Sequence, residues 1–315
     1  MSTAATVPET YELTGDDPKE TLERVGKKQL LVDAFHRLRA ADGTSHSRSL
    51  AFMASLIMVQ AIVVGLGLAT VVGGAGLGSA IADTITAAVP GPASEPLRKA
   101  LEQAREVGAR REFLPLLVGL AGLVFTATVA LGQIERGLNR IYGIEKDRPT
   151  AEKYERAFVL AVAAGSLFGA AFVLLGLNWR QADGWLADTN AAWLVLRWPL
   201  GLALVAIAFG VLLRYCPNRQ QPGRAWLAFG SLVAVVLWAG STVLLGLAFE
   251  LASTFPQTYG PLAGVVALLL WTYVSAFAIF YGVAVAAQLE AERASSRSGA
   301  AEPQPADAPA EPAVA

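Results

Sequence analysis

From Gln133 to Pro149 the chain reads Gln-Ile-Glu-Arg-Gly-Leu-Asn-Arg-Ile-Tyr-Gly-Ile-Glu-Lys-Asp-Arg-Pro, a dense polar run closing a long apolar one. Glu135 and Asn139 are four residues apart and Tyr142 lies three further on, so in a helix a carboxylate, an amide and a phenol share one face. Arg140 stands beside them, Gly143 suits a left-handed helix terminator, and Pro149 begins the connection to the next helix. Such a face can exchange hydrogen bonds with a solute at the cytoplasmic mouth of a membrane protein. The same residues also suit an ordinary capped helix end with snorkelling side chains, and both readings stay open.

Two further stretches carry polar groups between apolar runs. One is Arg214-Tyr215-Cys216-Pro217-Asn218-Arg219, followed by Gly223-Arg224-Ala225-Trp226, and it is expected on the same side as Glu135. The other begins Tyr259-Gly260-Pro261, continues through Trp271-Thr272-Tyr273 and leaves through Gln288-Leu289-Glu290. Trp271 and Tyr273 fall well inside an apolar run, which points to inward aromatic contacts rather than interfacial anchoring. Other chemistries lack their residues. A nuclease needs clustered metal ligands or an acid/base pair facing a basic groove, and His36 and His46 stand in the amino-terminal segment without such a cluster. The run Gly73-Gly74-Ala75-Gly76-Leu77-Gly78 lacks the following Lys and Ser/Thr of a phosphate-binding loop. The lone Cys216 has no disulfide partner. No catalytic residue, metal or cofactor is assigned, and no enzyme is expected.

The elements that must position these groups are written in composition. The 315 residues are 54% hydrophobic and 16% charged, where a soluble domain carries about 25% charge. No Asp, Glu, Lys or Arg occurs between Ser49 and Ile81, and similar stretches recur. Each is long enough to cross roughly 30 Å of hydrocarbon as a helix. The pattern predicts an all-α polytopic bundle of six spans near 50–72, 113–134, 157–177, 192–213, 225–249 and 260–288. Lys and Arg place its termini. The amino-terminal segment, second loop, fourth loop and carboxyl tail hold 18 of the 25 basic residues, so both termini are expected in the cytoplasm. With 25 basic against 26 acidic residues there is no global charge to attract nucleic acid.

Three regions follow from this division: a cytoplasmic segment 1–48, a transmembrane domain 49–293 with an outer loop 73–112, and a disordered cytoplasmic tail 294–315. Asp17-Pro18-Lys19-Glu20 opens a helix in the first, with Leu31, Ala34, Phe35 and Leu38 on one face until Asp42-Gly43 stops it. In the outer loop Ser94 is expected to cap a helix with Pro96 in its first turn and a stripe of Leu97, Leu101 and Ala104. That helix either lies over the bundle or gates it. Across the spans the interior polar residues expected are Gln60, Thr126, Thr128, Ser166, Ser231, Ser241, Thr242, Thr272 and Ser275, and none of these is ionisable. Small residues repeat at four, as in Ala157-Ala161-Gly165-Gly169, Gly65-Ala69-Gly73 and Gly260-Gly264, which predicts close helix packing. The partners expected are membrane lipids and a small uncharged or amphiphilic solute. No nucleic acid is expected, and a homo-oligomer stays open.

Taken in order, these residues resemble a known family. The ending Glu135, Leu138, Asn139, Arg140, Ile141, Tyr142, Gly143 and Pro149, the Tyr215-x-Pro217-Asn218 turn with Trp226 and Gly230, Trp238, Tyr259-Gly260, Trp271-x-Tyr273 and the Gln288-Leu289-Glu290 exit are similar to the YihY/virulence factor BrkB family of bacterial inner-membrane proteins. The resemblance covers roughly residues 110 to 293. It implies a six-span plasma-membrane protein of a family without an established activity, suspected of transport and in part carrying an old ribonuclease label. The first span departs from the family pattern, lacking its outer proline and aromatic-rich entry.

Overall fold

The computed structural model describes residues 3–9, 18–72, 89–109, 113–176, 190–221, 224–252, 254, 257, 259 and 262–300. Asp17, residues 73–88, Gly260 and the tail from 301, all given roles above, lie outside them. Among the described residues every regular element is a helix: α1 Pro18–Val25, α2 Lys27–Ala40, α3 Gly43–Val72, a 3-10 turn Gly91–Ser94, α4 Glu95–Ala109, α5 Phe113–Tyr142, α6 Thr150–Gly176, α7 Asn190–Tyr215, α8 Arg224–Leu251 and α9 Ala263–Ala300. Among the described residues four stretches of helix are long and apolar enough to cross a membrane: Leu117–Tyr142, Val195–Tyr215, Trp226–Leu251 and Ala263–Ser295. α3 and α6 add helices of 30 and 27 residues at the expected first and third spans. α9 continues to Ala300, into the tail 294–315 that was expected to be disordered.

The outside of the bundle is as apolar as lipid requires. Leu117, Val118, Phe125, Val195 and Leu251 are all strongly exposed, a surface that water would not tolerate over such an extent. α9 is the central element: half of its apolar window (50%) is buried inside the bundle, against 11% for α8. It packs on α8, α3, α2 and the 3-10 turn. Glycines permit the closest crossings. A Cβ on Gly230 of α8 would come within 2.6 Å of the Gly282 carbonyl of α9, and one on Gly137 of α5 within 2.5 Å of the Phe280 ring. The ridge on α6 behaves otherwise, since nothing lies within 4 Å of a Cβ at Gly165 or Gly169. Gly165 and Gly169 face outward while Ala157 of the same ridge is buried, and the closest backbone approach lies between α8 and α9.

Two clusters of buried side chains divide the molecule lengthwise. The larger runs through α2, α5, α6, α7, α8 and α9. The smaller joins Val89, Ala93, Leu97, Ala100 and Leu101 to Ala267, Leu268 and Trp271, so α4 and its 3-10 turn pack over the end of α9 opposite the one that holds Glu290. Gly264 makes that approach possible, because a Cβ there would meet Pro96 at 2.9 Å. The expected stripe is real in Leu97 and Leu101, but the Ser94 hydroxyl donates to the Gly91 carbonyl, a bond inside the 3-10 turn in place of the expected cap. The hydroxyls in the spans mostly bond the carbonyl one turn back, as Thr128 does to Val124 and Ser275 to Trp271. Ser55 and Thr272 bond the carbonyls of Ala51 and Leu268 in the same way, and their hydroxyls also meet each other at 2.9 Å, joining α3 to α9.

The amino-terminal helix differs from expectation in two ways. Gly26, at φ 83°, breaks it into α1 and α2. The buried face of α2 is Leu30, Ala34 and Leu38, four apart, while Leu31 and Phe35 are exposed. A period of four follows one ridge against α9, where the Tyr281 hydroxyl donates to the Leu31 carbonyl, and so turns Leu31 and Phe35 outward.

Candidate functional site

The motif from Glu135 to Gly143 forms the last turns of α5, and five other segments close around it. Glu135 is 2% exposed and meets Arg148 at 3.3 Å. Arg148, in the short connection from α5 to α6, also donates to the carbonyls of Cys216 at 2.9 Å and Pro217 at 2.6 Å. One guanidinium thereby ties the α5–α6 connection to the α7–α8 connection. Asn139 does the same with an amide: its Nδ2 donates to Asp147 at 2.9 Å, and its Oδ1 accepts from the Asn218 backbone N–H at 2.8 Å. Neither end of that amide can be replaced by a side chain of one polarity.

Asp147 gathers cations as well. Lys153 lies 3.1 Å and Arg136 3.5 Å from it. Burial pushes the Asp147 carboxyl up, but the hydrogen bonds from Asn139 and Lys153 and the nearby positive charges outweigh it and hold the group below the usual carboxylate range. Burial also pushes the Cys216 thiol up, which disfavours the thiolate.

A second pair lies beside the first. Arg219 grips Glu290 of α9 with both terminal nitrogens, at 3.0 and 2.8 Å, with side chains only 2% and 1% exposed. Its guanidinium lies 4.6 Å from the ring centre of Tyr142, itself fully buried. Two fork-to-carboxylate bonds and an aromatic face fix the cation in place. Arg293 stacks at 4.6 Å on Trp226 in the same region.

Residues 3–9 cross this polar end. Ala4 and Val7 donate their backbone N–H groups to the carbonyls of Arg140 at 3.1 Å and Tyr142 at 3.0 Å, and the Thr6 hydroxyl reaches the Gly143 carbonyl at 3.3 Å. The segment thus satisfies carbonyls that the end of α5 leaves open. Arg37 of α2 donates to the carbonyls of Ala5 and Ile141 and to Gln288 of α9, while Arg219 donates to Pro8 at 2.9 Å. Gly143 sits at φ 78°, and a Cβ there would collide with the Thr6 backbone. Beside the crossing, a cleft of about 300 Å³ opens outward, lined by Glu9, Arg148, Glu152, Arg156, Asn218, Arg219 and Gln220.

Of the residues singled out in the sequence, Glu135, Asn139, Arg140, Tyr142, Gly143, Pro217 and Asn218 meet at this end. Pro149 is exposed and begins α6 by accepting the Lys153 N–H. Tyr215 is exposed at the rim, with Arg214 stacked on it at 5.7 Å. Trp271 and Tyr273 belong elsewhere: Trp271 is buried in the cluster under α4 and donates to Thr242 at 3.1 Å, and Tyr273 is half-buried. Tyr259 is exposed and takes no part in the polar end. Sequence reasoning passed over Arg148, Asp147, Arg219, Glu290 and the crossing segment as members of the site. Arg148, Arg219 and Glu290 stood inside quoted motifs, yet nothing in their spacing links loops 70 residues apart. Of the histidines, His36 is exposed and His46 packs against Phe280.

The arrangement offers hydrogen bonding and charge at a helix-bundle end. Among the described residues no three His, Cys, Asp or Glu side chains converge as metal ligands. The profile of the family described as virulence factor BrkB matches residues 34–307. A UPF0761 membrane protein of Methylibium petroleiphilum is 30% identical over 172 residues, which cover 54% of this chain and 41% of that protein. One of Ralstonia nicotianae is 32% identical over 181 residues, 54% of this chain and 38% of its own length. A protein of Bacillus subtilis, named putative ribonuclease-like protein YfkH, is 24% identical over 53% of this chain and 62% of its own. The chain thus spans about two fifths of the first two relatives. No solved structure matches.

Proposed function

This chain belongs to the virulence factor BrkB family and is a multi-pass protein of the bacterial inner membrane, and on that premise we propose that it conducts a small uncharged or amphiphilic solute. The observation that carries the reading is the convergence of Glu135, Asn139, Tyr142 and Asn218 at one end of an otherwise apolar bundle, beside an open cleft of about 300 Å³. An apolar protein keeps buried polar groups at a single depth at considerable cost, which favours a role in recognition. The reading includes six spans with both termini in the cytoplasm. Its support is that the amino-terminal segment, the second and fourth connections and the exit of α9, together rich in Lys and Arg, lie at the same end. The polar end is then the cytoplasmic mouth.

Osmotic swelling of proteoliposomes in glycerol, erythritol and sorbitol tests the proposal. Swelling above that of protein-free vesicles is expected, and it should change when the exposed cleft residues Glu152 and Arg156 become Gln while the yield of folded protein does not. Swelling equal to that of empty vesicles for all three solutes would remove this class of substrate. A second reading, a non-transporting envelope scaffold, draws on a different observation: Glu135 with Arg148 and Glu290 with Arg219 pair opposite buried charges, as packing would require. No enzymatic role is proposed: the ribonuclease-like name of a relative 24% identical is that protein's own.

A further inference from the structure

The segment 3–9 stands apart from the rest of the polar end in how it is held. Glu135, Arg148, Arg219 and Glu290 are joined by buried charge, whereas this segment is anchored by backbone hydrogen bonds and by two small apolar side chains, Ala4 and Val7. Its other side chains add one long hydroxyl contact from Thr6 and one from Glu9 to the Gln220 N–H at 3.4 Å. Arg37 and Arg219 add bonds to the Ala5 and Pro8 carbonyls. Ordering seven residues without helix or sheet costs substantial chain entropy, which these hydrogen bonds and two small apolar side chains offset without the buried charge pairs that fix the core beneath. The segment can therefore leave while the charged core beneath it stays folded.

Its position gives that release a consequence. Arg37 and Arg219 hold it at the two sides, and each also grips α9, through Gln288 and Glu290 respectively. Between those anchors it covers the carbonyl end of α5 at Arg140, Tyr142 and Gly143, beside the residues proposed as the mouth. Gly143 appears there because any Cβ would collide with Thr6. The close fit at a left-handed glycine marks a seat for this segment rather than incidental contact.

We propose that residues 3–9 are a reversible strap that closes the cytoplasmic mouth and must lift for solute to enter. The gating role rests on the permeation reading, whereas the seating and lifting of the strap do not. The test uses the full-length, membrane-embedded protein in a Cys216→Ala background carrying Glu9→Cys and Gln220→Cys, whose parent residues are in contact. A short bis-maleimide should join the two cysteines in most molecules, and Gly143→Ala should cut that yield at least fivefold. With the link in place, hydrogen exchange at the amides of residues 140–147 should slow at least tenfold relative to the unlinked protein. Failure to link, or equal yield with Gly143→Ala, would overturn the seat. Equal exchange in linked and unlinked protein would show that the strap does not lift, and would overturn the device. Swelling of proteoliposomes separates the two claims: slower exchange with no swelling in either form removes permeation and leaves a lifting strap, whereas swelling in both forms alike removes the gate.

Discussion

Arg219 and Glu290 bury opposite charges where an apolar bundle ends, and each is costly alone. Removing one partner of such a pair leaves an uncompensated buried ion, worth about 3–5 kcal/mol. Glu290→Gln is therefore expected to lower stability by that order in a detergent-solubilised thermal melt. Glu152→Gln, which alters a half-exposed carboxylate paired with exposed Arg156 and lying 3.9 Å from Arg148, should cost less than about 1 kcal/mol. His46 supplies a pH dependence. Burial lowers its affinity for a proton below the ordinary value of 6.5, and Arg136 and Arg140 add to this against the opposing charges of Asp42 and Asp147. The folded protein thus favours neutral His46, so stability from this group is complete above pH 6.5 and is lost as pH falls through and below it. Melting temperature measured from pH 8 to pH 5 should fall, and His46→Gln should flatten the decline. The face shared by Glu135, Asn139 and Tyr142 was legible because helical spacing alone decides it. Their partners were not, since Arg148, Arg219 and Glu290 arrive from loops and helices that only the tertiary fold brings near.

Helices report their neighbours through their glycines. At Gly282 of α9 a larger side chain has nowhere to go, because Ala234 and the Gly230 carbonyl of α8 lie within 2.7 Å of any Cβ. Gly282→Leu should separate the two helices and cost about 1–3 kcal/mol or more from overpacking. Gly165 on α6 faces open space, so Gly165→Ala should be neutral or add about 0.5–1 kcal/mol through helix propensity. The same melts compare the two variants. Sequence periodicity announced small-residue ridges on both α6 and α9 yet could not say which one meets a partner, because lipid and helix surfaces are equally apolar. For α2 the pattern placed Ala34 and Leu38 on the buried face correctly but Leu31 and Phe35 wrongly, since these are as apolar as Leu30 and only the seat on α9 distinguishes them. Gly26, a lone glycine among helix formers, gave a weak signal for the break that φ 83° makes definite.

For the whole molecule, apolar stretches bounded by charged connections made the helical membrane class legible from composition, since hydrocarbon leaves a backbone few other choices. The crossing of residues 3–9 over the end of α5 was invisible in sequence, as its bonds come from backbone groups that every residue carries. The central claim is that the charged connectors, the amino-terminal strap and the exit of α9 meet at one end and that this end faces the cytoplasm. Gln220 lies at that end, whereas Gln257 follows α8 on the other side, and both are exposed. The direct measurement is labelling of single cysteines at these positions, Gln220→Cys and Gln257→Cys, each in a Cys216→Ala background, by a membrane-impermeant maleimide on intact cells with the outer membrane permeabilised. Gln257→Cys should label from outside and Gln220→Cys only after the inner membrane is opened. Labelling of Gln220→Cys in sealed cells, with Gln257→Cys protected, would contradict the account.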